Sequence, residues 1–290
     1  MVDGSSPDPM MPPRESALDP DSDQEMLDAS PVPRAAVAPG AAATDRKQVR
    51  RERLRFLAKT PSFVVGMGIL LFWVAASIVP GLFTKYNDQE SVVVDGVTLS
   101  RVGPRLDAWF GTDIIGRDVF ARVIYGARPI LITAVIAALL AVIAGTLLGL
   151  IVGYFRGWVD EIISRVIEAF LSIPVILLAI LVLTLFGRSR WVIIATIAVL
   201  FTPVVTRTVR SAVLAEAQLD YVTSAKLRGE RSVFVMTREI LPNITGVAVV
   251  ELTVRVGYAI FTVATLSFLG LNAGDSSAAD WGRDITDQYK

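Results

Sequence analysis

Four charged residues that alternate in sign, Asp113, Arg117, Asp118 and Arg122, and an acid–base pair, Glu251 and Arg255, are the side chains best spaced for chemistry in this sequence. The first set sits at helical spacing beside an apolar run. It suits an outer-mouth gate or a contact for a second protein, and equally a self-satisfied cluster that packs a loop. Glu251 and Arg255 are four residues apart within an apolar stretch, so they share one helix face. Ionised groups at membrane depth usually face a bundle interior or a watery cavity, often paired. Covalent chemistry has little to work with, because cysteine and histidine are both absent. That excludes a thiolate nucleophile, a Ser-His-Asp triad, a Cys/His metal site and haem ligation by His. No G-x-x-x-x-G-K-[ST] phosphate loop occurs, so energy for any transport step must come from a partner or an ion gradient. With 28 basic and 28 acidic residues, no charge excess points to a nucleic-acid partner.

These residues must be positioned by elements that cross a membrane. Hydrophobic residues make up 53% of the 290, and they cluster in long uncharged blocks. Residues 1–45 are Pro/Ala-rich and acidic, with too little apolar surface to fold alone, and read as a disordered cytoplasmic tail. A basic juxtamembrane segment, 46–61, carries Arg46, Lys47, Arg50, Arg51, Arg53, Arg55 and Lys59 directly before the first span, 62–83. Such a run favours the cytoplasmic side and an anionic lipid leaflet. Further spans are expected at 129–154, 168–186, 191–206 and 244–268, with Pro174 and Pro203 as kinks. Alternation from an inside N-terminus puts segment 84–128 outside, the loop 207–243 inside and residues 271–290 outside.

The loop 207–243 is too long for a mere connector. It contains Asp220-Tyr-Val-Thr-Ser-Ala-Lys-Leu-Arg-Gly229 and ends in Glu239-Ile-Leu-Pro242-Asn243. Gly229 suits a helix end in the left-handed conformation, and Pro242 suits the start of the next helix. Val233, Phe234 and Met236 add apolar contacts. The whole reads as a helix–turn–helix elbow that docks a soluble protein.

The elbow resembles the coupling motif E-A-A-x3-G-x9-I-x-L-P of ABC importer permeases. Thr223, Ser224, Ala225, Gly229, Leu241 and Pro242 fall at its spacing; Thr223 and Ser224 replace the Glu-Ala start, and Glu239 takes the Ile position. Gly111-Thr-Asp-Ile-Ile-Gly-Arg-Asp118, followed by Arg122, is similar to the G-T-D-x-x-G-R-D signature of the dipeptide, oligopeptide and nickel group. Gly153 to Glu161, Ser172-Ile-Pro174, Leu266-Ser-Phe-Leu-Gly270 and Trp281-Gly282 are also similar to that group, so the likeness covers residues 50–290. The long N-terminus looks like that of the second permease subunit. Members continue past the Trp-Gly segment into a sixth span, which is expected after the five seen here.

The resemblance implies an all-α polytopic transmembrane bundle that moves dipeptides or oligopeptides and catalyses no covalent step. Nickel chelates or other small solutes are the alternative cargo. The implied partners are a second homologous permease, two ATPase subunits that hold ATP and Mg, an extracytoplasmic solute-binding protein, and membrane lipid. No cofactor or metal is expected in this subunit. Thr223, Ser224, Ala225, Lys226, Gly229, Leu241 and Pro242 are the implied coupling positions. A peptide carries both an ammonium and a carboxylate, so Glu251 and Arg255 are candidates for a pore contact, against the reading as a polar lock between helices. The family's acid before Leu266 is replaced by Val263. A secondary transporter would need inverted repeats and mid-membrane ion ligands, and no internal repeat is visible. A membrane-embedded hydrolase would need a nucleophile and base within a span, where only Glu251 stands.

Overall fold

A computed structural model describes residues 59–274 and 278–288. The expectations for the tail 1–45, and for most of the basic segment 46–61, lie outside the described residues. The chain divides into two units, Met1–Val64 and Val65–Lys290. Of the first, the described residues are 59–64, which include the opening turn of the first helix. The rest of this account concerns the second.

The described residues are mainly helical, apart from a largely irregular segment at 79–118. In chain order they form α1 (Pro61–Ile78), a two-residue hairpin β1 (Val93–Val94) and β2 (Val97–Thr98), α2 (Val119–Phe155), α3 (Gly157–Leu171), α4 (Val175–Phe186) and α5 (Arg190–Glu216). Then come α6 (Asp220–Leu227), α7 (Leu241–Phe268) and α8 (Trp281–Gln288). Among the described residues, four helical runs are long and apolar enough to cross a membrane: α1, α2, α5 and the continuous run Ser232–Phe268 that contains α7. Backbone polar groups in hydrocarbon must be satisfied within the chain, and helices do this alone. Hydroxyls follow the same rule: Thr133, Thr196, Thr202 and Thr206 each donate to the carbonyl four residues back, at 2.7–2.8 Å.

Three of the differences from the sequence reading have a plain local reason. The second span starts at Val119 rather than at Pro129, because Asp118 caps it by accepting the N–H groups of Phe120 and Ala121 at 3.1 and 3.3 Å. Pro129 then sits inside the helix. The expected span 168–186 is not one straight helix. The chain breaks at Ser172–Pro174, and α3 and α4 meet at 86°. With 12 residues, α4 is about 18 Å long, short of a hydrocarbon core of about 30 Å. Pro242 stands in the first turn of α7, as expected, but no break separates α7 from what precedes it. A turn at Ser232–Phe234 and a π-helical turn at Val235–Ile240 run into α7 unbroken.

The packing centre is the parallel pair α2 and α5, which meet along glycines. Gly145, Gly149 and Gly153 of α2 face Val205, Val209 and Val213 of α5; a Cβ on any of the three glycines would come within 2.5–2.7 Å of the opposing valine Cβ. Only hydrogen side chains allow backbones this close, the small-xxx-small arrangement of membrane helices. Ala134, Ala137, Ala138 and Ala141 of α2 continue the close contact into a core with Ile194 and Ile197 of α5 and Leu183 of α4. By contrast α1 buries only Ala76, and large apolar residues such as Ile69, Leu70 and Leu71 stay exposed. Such a bare apolar helix is what a lipid environment accommodates.

Candidate functional site

The elbow is built on the lower end of the α2–α5 seam. Helix α5 outruns the expected span by ten residues and delivers Val213 and Ala217 to the elbow. Val222 and Ala225 of α6 turn inward and are fully buried, against Val213, Val235 and Ile240. Burying a Val or Ile side chain contributes roughly 1.5–3 kcal/mol, so these contacts are enough to hold an eight-residue helix that could not stand alone in water.

Gly229 ends α6 in the left-handed conformation, at φ 76°. The N–H of Glu230 reaches the carbonyl of Ala225 at 3.2 Å, and that of Gly229 reaches Lys226 at 3.0 Å. Those two bonds are the Schellman closure, and only glycine adopts the required φ without strain. Across the turn, Arg228 approaches Glu230 at 3.8 Å and Glu239 at 4.0 Å.

A polar triangle on the other side joins three helical segments. The Tyr221 hydroxyl donates to Glu216 Oε1 at 2.5 Å and accepts from Asn243 Nδ2 at 2.9 Å; Asn243 also donates to the Glu239 carbonyl at 2.8 Å. Burial first, and then the Glu216 carboxylate, push the Tyr221 hydroxyl up to about 12, so it stays protonated and keeps donating. Lys226 lies over the Tyr154 ring at 5.0 Å, tying α6 to the end of α2. The elbow is therefore fastened to α2, α5 and α7 together.

The positions singled out from sequence divide into two kinds. Ala225 is buried and Leu241 half-buried, so both pack the elbow from inside. Thr223, Ser224, Lys226, Gly229 and Pro242 are exposed. Beside them lie Leu227, 84% exposed, with Val233 and Phe234, also exposed. Isolated apolar residues at a surface are ordinary. These three lie within eight residues, 227–234, with exposed Lys226, Arg228 and Arg231 beside them in sequence, so the elbow displays apolar and basic side chains together.

Asp113, Arg117, Asp118 and Arg122 are all buried, and their charges are spent inside the chain. Asp113 accepts the N–H groups of Ile115 and Arg117 at 3.0 and 2.8 Å and the Arg117 guanidinium at 2.6 Å. Burial pushes the Asp118 carboxyl above its ordinary value, and the two α2 N–H groups it caps pull the other way. Arg122 pairs with Asp284 of α8, donating through Nε at 3.0 Å and again through Nη2, and it donates to the Asp88 carbonyl at 3.0 Å. Asp284 is likewise raised, chiefly by burial, with Arg122 opposing. Trp281 Nε1 donates to the Val123 carbonyl at 2.8 Å, and its ring meets Trp73 edge-on at 5.1 Å. The four residues are thus buried and paired within the chain: Asp113 and Arg117 close the loop, Asp118 caps α2, and Arg122 staples α8 to α2.

Glu251 and Arg255 pair at 3.0 Å with side chains only 12–13% exposed. The Arg255 guanidinium lies near Tyr258 and Phe201, 5.2 and 5.9 Å from the ring centres. Because Phe201 belongs to α5, the pair links α7 to α5. Sequence reasoning did not single out Asp160 and Arg210, which meet through two bonds of 2.6 Å and tie α3 to α5. It also passed over the glycine seam, although Gly145, Gly149 and Gly153 stand openly at four-residue spacing.

Comparison with known proteins gives one consistent answer. The family described as binding-protein-dependent transport system inner membrane component matches residues 145–289, which hold the elbow, the Glu251–Arg255 pair and α8. A dipeptide transport system permease protein, DppC, of Alkalihalophilus pseudofirmus is 35% identical over 82% of this chain and 76% of its own length. The DppC of Bacillus subtilis is 36% identical over 79% and 70%. A glutathione transport system permease protein, GsiD, of Shigella dysenteriae is 35% identical over 80% and 74%.

Proposed function

Because the chain belongs to the family of binding-protein-dependent transport system inner membrane components, we propose that it is the permease subunit of an ATP-driven importer of dipeptides or oligopeptides. The relatives named for dipeptide and for glutathione, itself a short peptide, support that cargo class. The chain is a multi-pass membrane protein. Its N-terminus and elbow lie on the cytoplasmic side, as the basic segment 46–61 and the Lys/Arg-rich loop 207–243 favour.

The elbow is the observation that carries the coupling assignment. Of the complex's two ATPase subunits, which hold ATP and Mg, one seats against this elbow, at exposed Leu227, Val233 and Phe234 and the basic residues beside them. A second homologous permease completes the pore, and an extracytoplasmic binding protein delivers the solute. Thr223, Ser224, Lys226, Gly229 and Pro242 present the docking surface, while Ala225 and Leu241 shape it from behind. Closure of the ATPases moves α6. The polar triangle and the buried Val222–Ala225 side carry that movement into α2, α5 and α7 together. In this scheme the Glu251–Arg255 pair holds α7 to α5 as they move.

The test is purification from native membranes through a tag on this chain, followed by peptide-stimulated ATP hydrolysis. Wild type is expected to retain ATPase subunits, and Leu227→Glu to lose stimulated hydrolysis while inserting normally. A chain that emerges alone or as a homo-oligomer would overturn the importer reading.

A further inference from the structure

Helix α3 has three distinct sides. At 100° per residue, Val159, Asp160, Ile163, Ser164 and Ile167 fall on one side, and all five are half-buried against the bundle. The Asp160–Arg210 ion pair pins that side to α5, and Arg156, just before α3, donates to the Leu214 carbonyl of α5 at 3.4 Å. A second side carries Trp158, Ile162, Val166 and Phe170, each four residues from the next and 42–74% exposed. The third side carries Glu161, Arg165 and Glu168, all exposed, with Glu161 and Arg165 paired at 3.5 Å.

A helix that needs protein, oil and water at once has one natural location, the boundary between hydrocarbon and headgroups. Three further observations agree with it. The 86° break at Ser172–Pro174 turns α3 across α4, so the two do not form one straight span. The α3 anchors, Arg210 and Leu214, lie at the elbow end of α5, beyond its apolar run. Helix α4 carries an exposed apolar row of its own, Leu177, Leu181 and Leu185 at four-residue spacing. Trp158, at the start of α3, is also the residue type favoured at a membrane interface.

We propose that α3 is an in-plane interfacial helix whose Trp158–Ile162–Val166–Phe170 face is seated in the lipid leaflet on the elbow side. Asp160–Arg210 then joins a lipid-bound element to the end of α5 that leads into the elbow. The assignment does not depend on which solute the protein moves.

The native absence of cysteine makes the test direct. Single cysteines at 158, 162, 166 and 170, and at 161, 165 and 168, are introduced into the full chain and spin-labelled. Measurements use the complex in which the chain purifies, with other cysteines blocked, in vesicles of phosphatidylethanolamine and phosphatidylglycerol. Collision with oxygen and with an aqueous nickel chelate reads depth. The expected result is equal shallow depth at the four apolar sites, with oxygen favoured, and nickel access at the three polar sites. A depth that grows by about 6 Å at each four-residue step would make α3 a spanning segment and overturn the proposal. Labels at 162 and 166 reached by neither reagent would show a protein partner there and overturn it equally. Asp160→Asn serves as a second variant, expected to loosen α3 and raise label mobility without expelling Ile162 from lipid.

Discussion

Adding one methyl group at Gly149 tests the packing that all other elements depend on. A Cβ there would lie 2.7 and 2.8 Å from Val209 Cβ and Cγ1 and 3.0 Å from the Thr206 carbonyl oxygen. All three obstacles belong to a β-branched side chain or to the backbone, neither of which can turn aside. The helices must therefore part, and overpacking of this kind costs about 1–3 kcal/mol. Gly246 in α7 is the internal control: it is exposed, and a Cβ there meets nothing within 4 Å. Alanine at that helical position is neutral or stabilises by up to about 1 kcal/mol. The two substitutions are chemically identical, so their difference isolates the seam, at about 1–4 kcal/mol. Unfolding in mixed micelles of rising denaturing-detergent fraction, followed by circular dichroism, reads it. Equal midpoints for Gly149→Ala and Gly246→Ala would refute the close approach of α2 and α5.

Tyr221→Phe removes the shared hydroxyl of the elbow's polar triangle and is expected to cost about 1–2 kcal/mol. Because the folded state raises the Tyr221 pKa from 10.0 to about 12, that contribution is full below pH 10 and fades as pH rises toward 12. The gap between wild type and Tyr221→Phe in thermal stability should thus narrow over that window; a constant gap would argue against the hydrogen bond to Glu216. Arg122→Met and Asp284→Asn should each be costly, about 3–5 kcal/mol for breaking a buried pair, while the double variant costs well under their sum. Simple additivity in the same unfolding assay would show that α8 is not held by this pair.

The apolar spans and the elbow were legible because each rests on local chemistry. Long uncharged runs announced α1, α2, α5 and α7, and Gly229 marked the end of α6 through its own backbone freedom. What escaped was set by distance or by competition between local signals. Arg122 and Asp284 are 162 residues apart, so nothing in the charge pattern near Arg122 named its partner. Pro174 was read as a kink within one span, yet with Ser172 and Ile173 it breaks the helix outright. Pro242 was read as a helix start, but the π turn before it keeps the helix continuous. The four-residue glycine spacing of α2 was visible and its meaning was missed, because hydropathy alone had already accounted for the span.

Coupling through the elbow is tested most directly by a photo-reactive phenylalanine analogue placed at Leu227, with Leu106 as the comparison. Both leucines are highly exposed, at 84% and 95%, so neither substitution disturbs the fold. They lie on opposite sides of the membrane in the proposed topology. Irradiation of native membranes should link position 227 to an ATP-binding subunit and position 106 to no cytoplasmic protein. A cross-link to that subunit from 106, with none from 227, would contradict both the coupling role and the orientation.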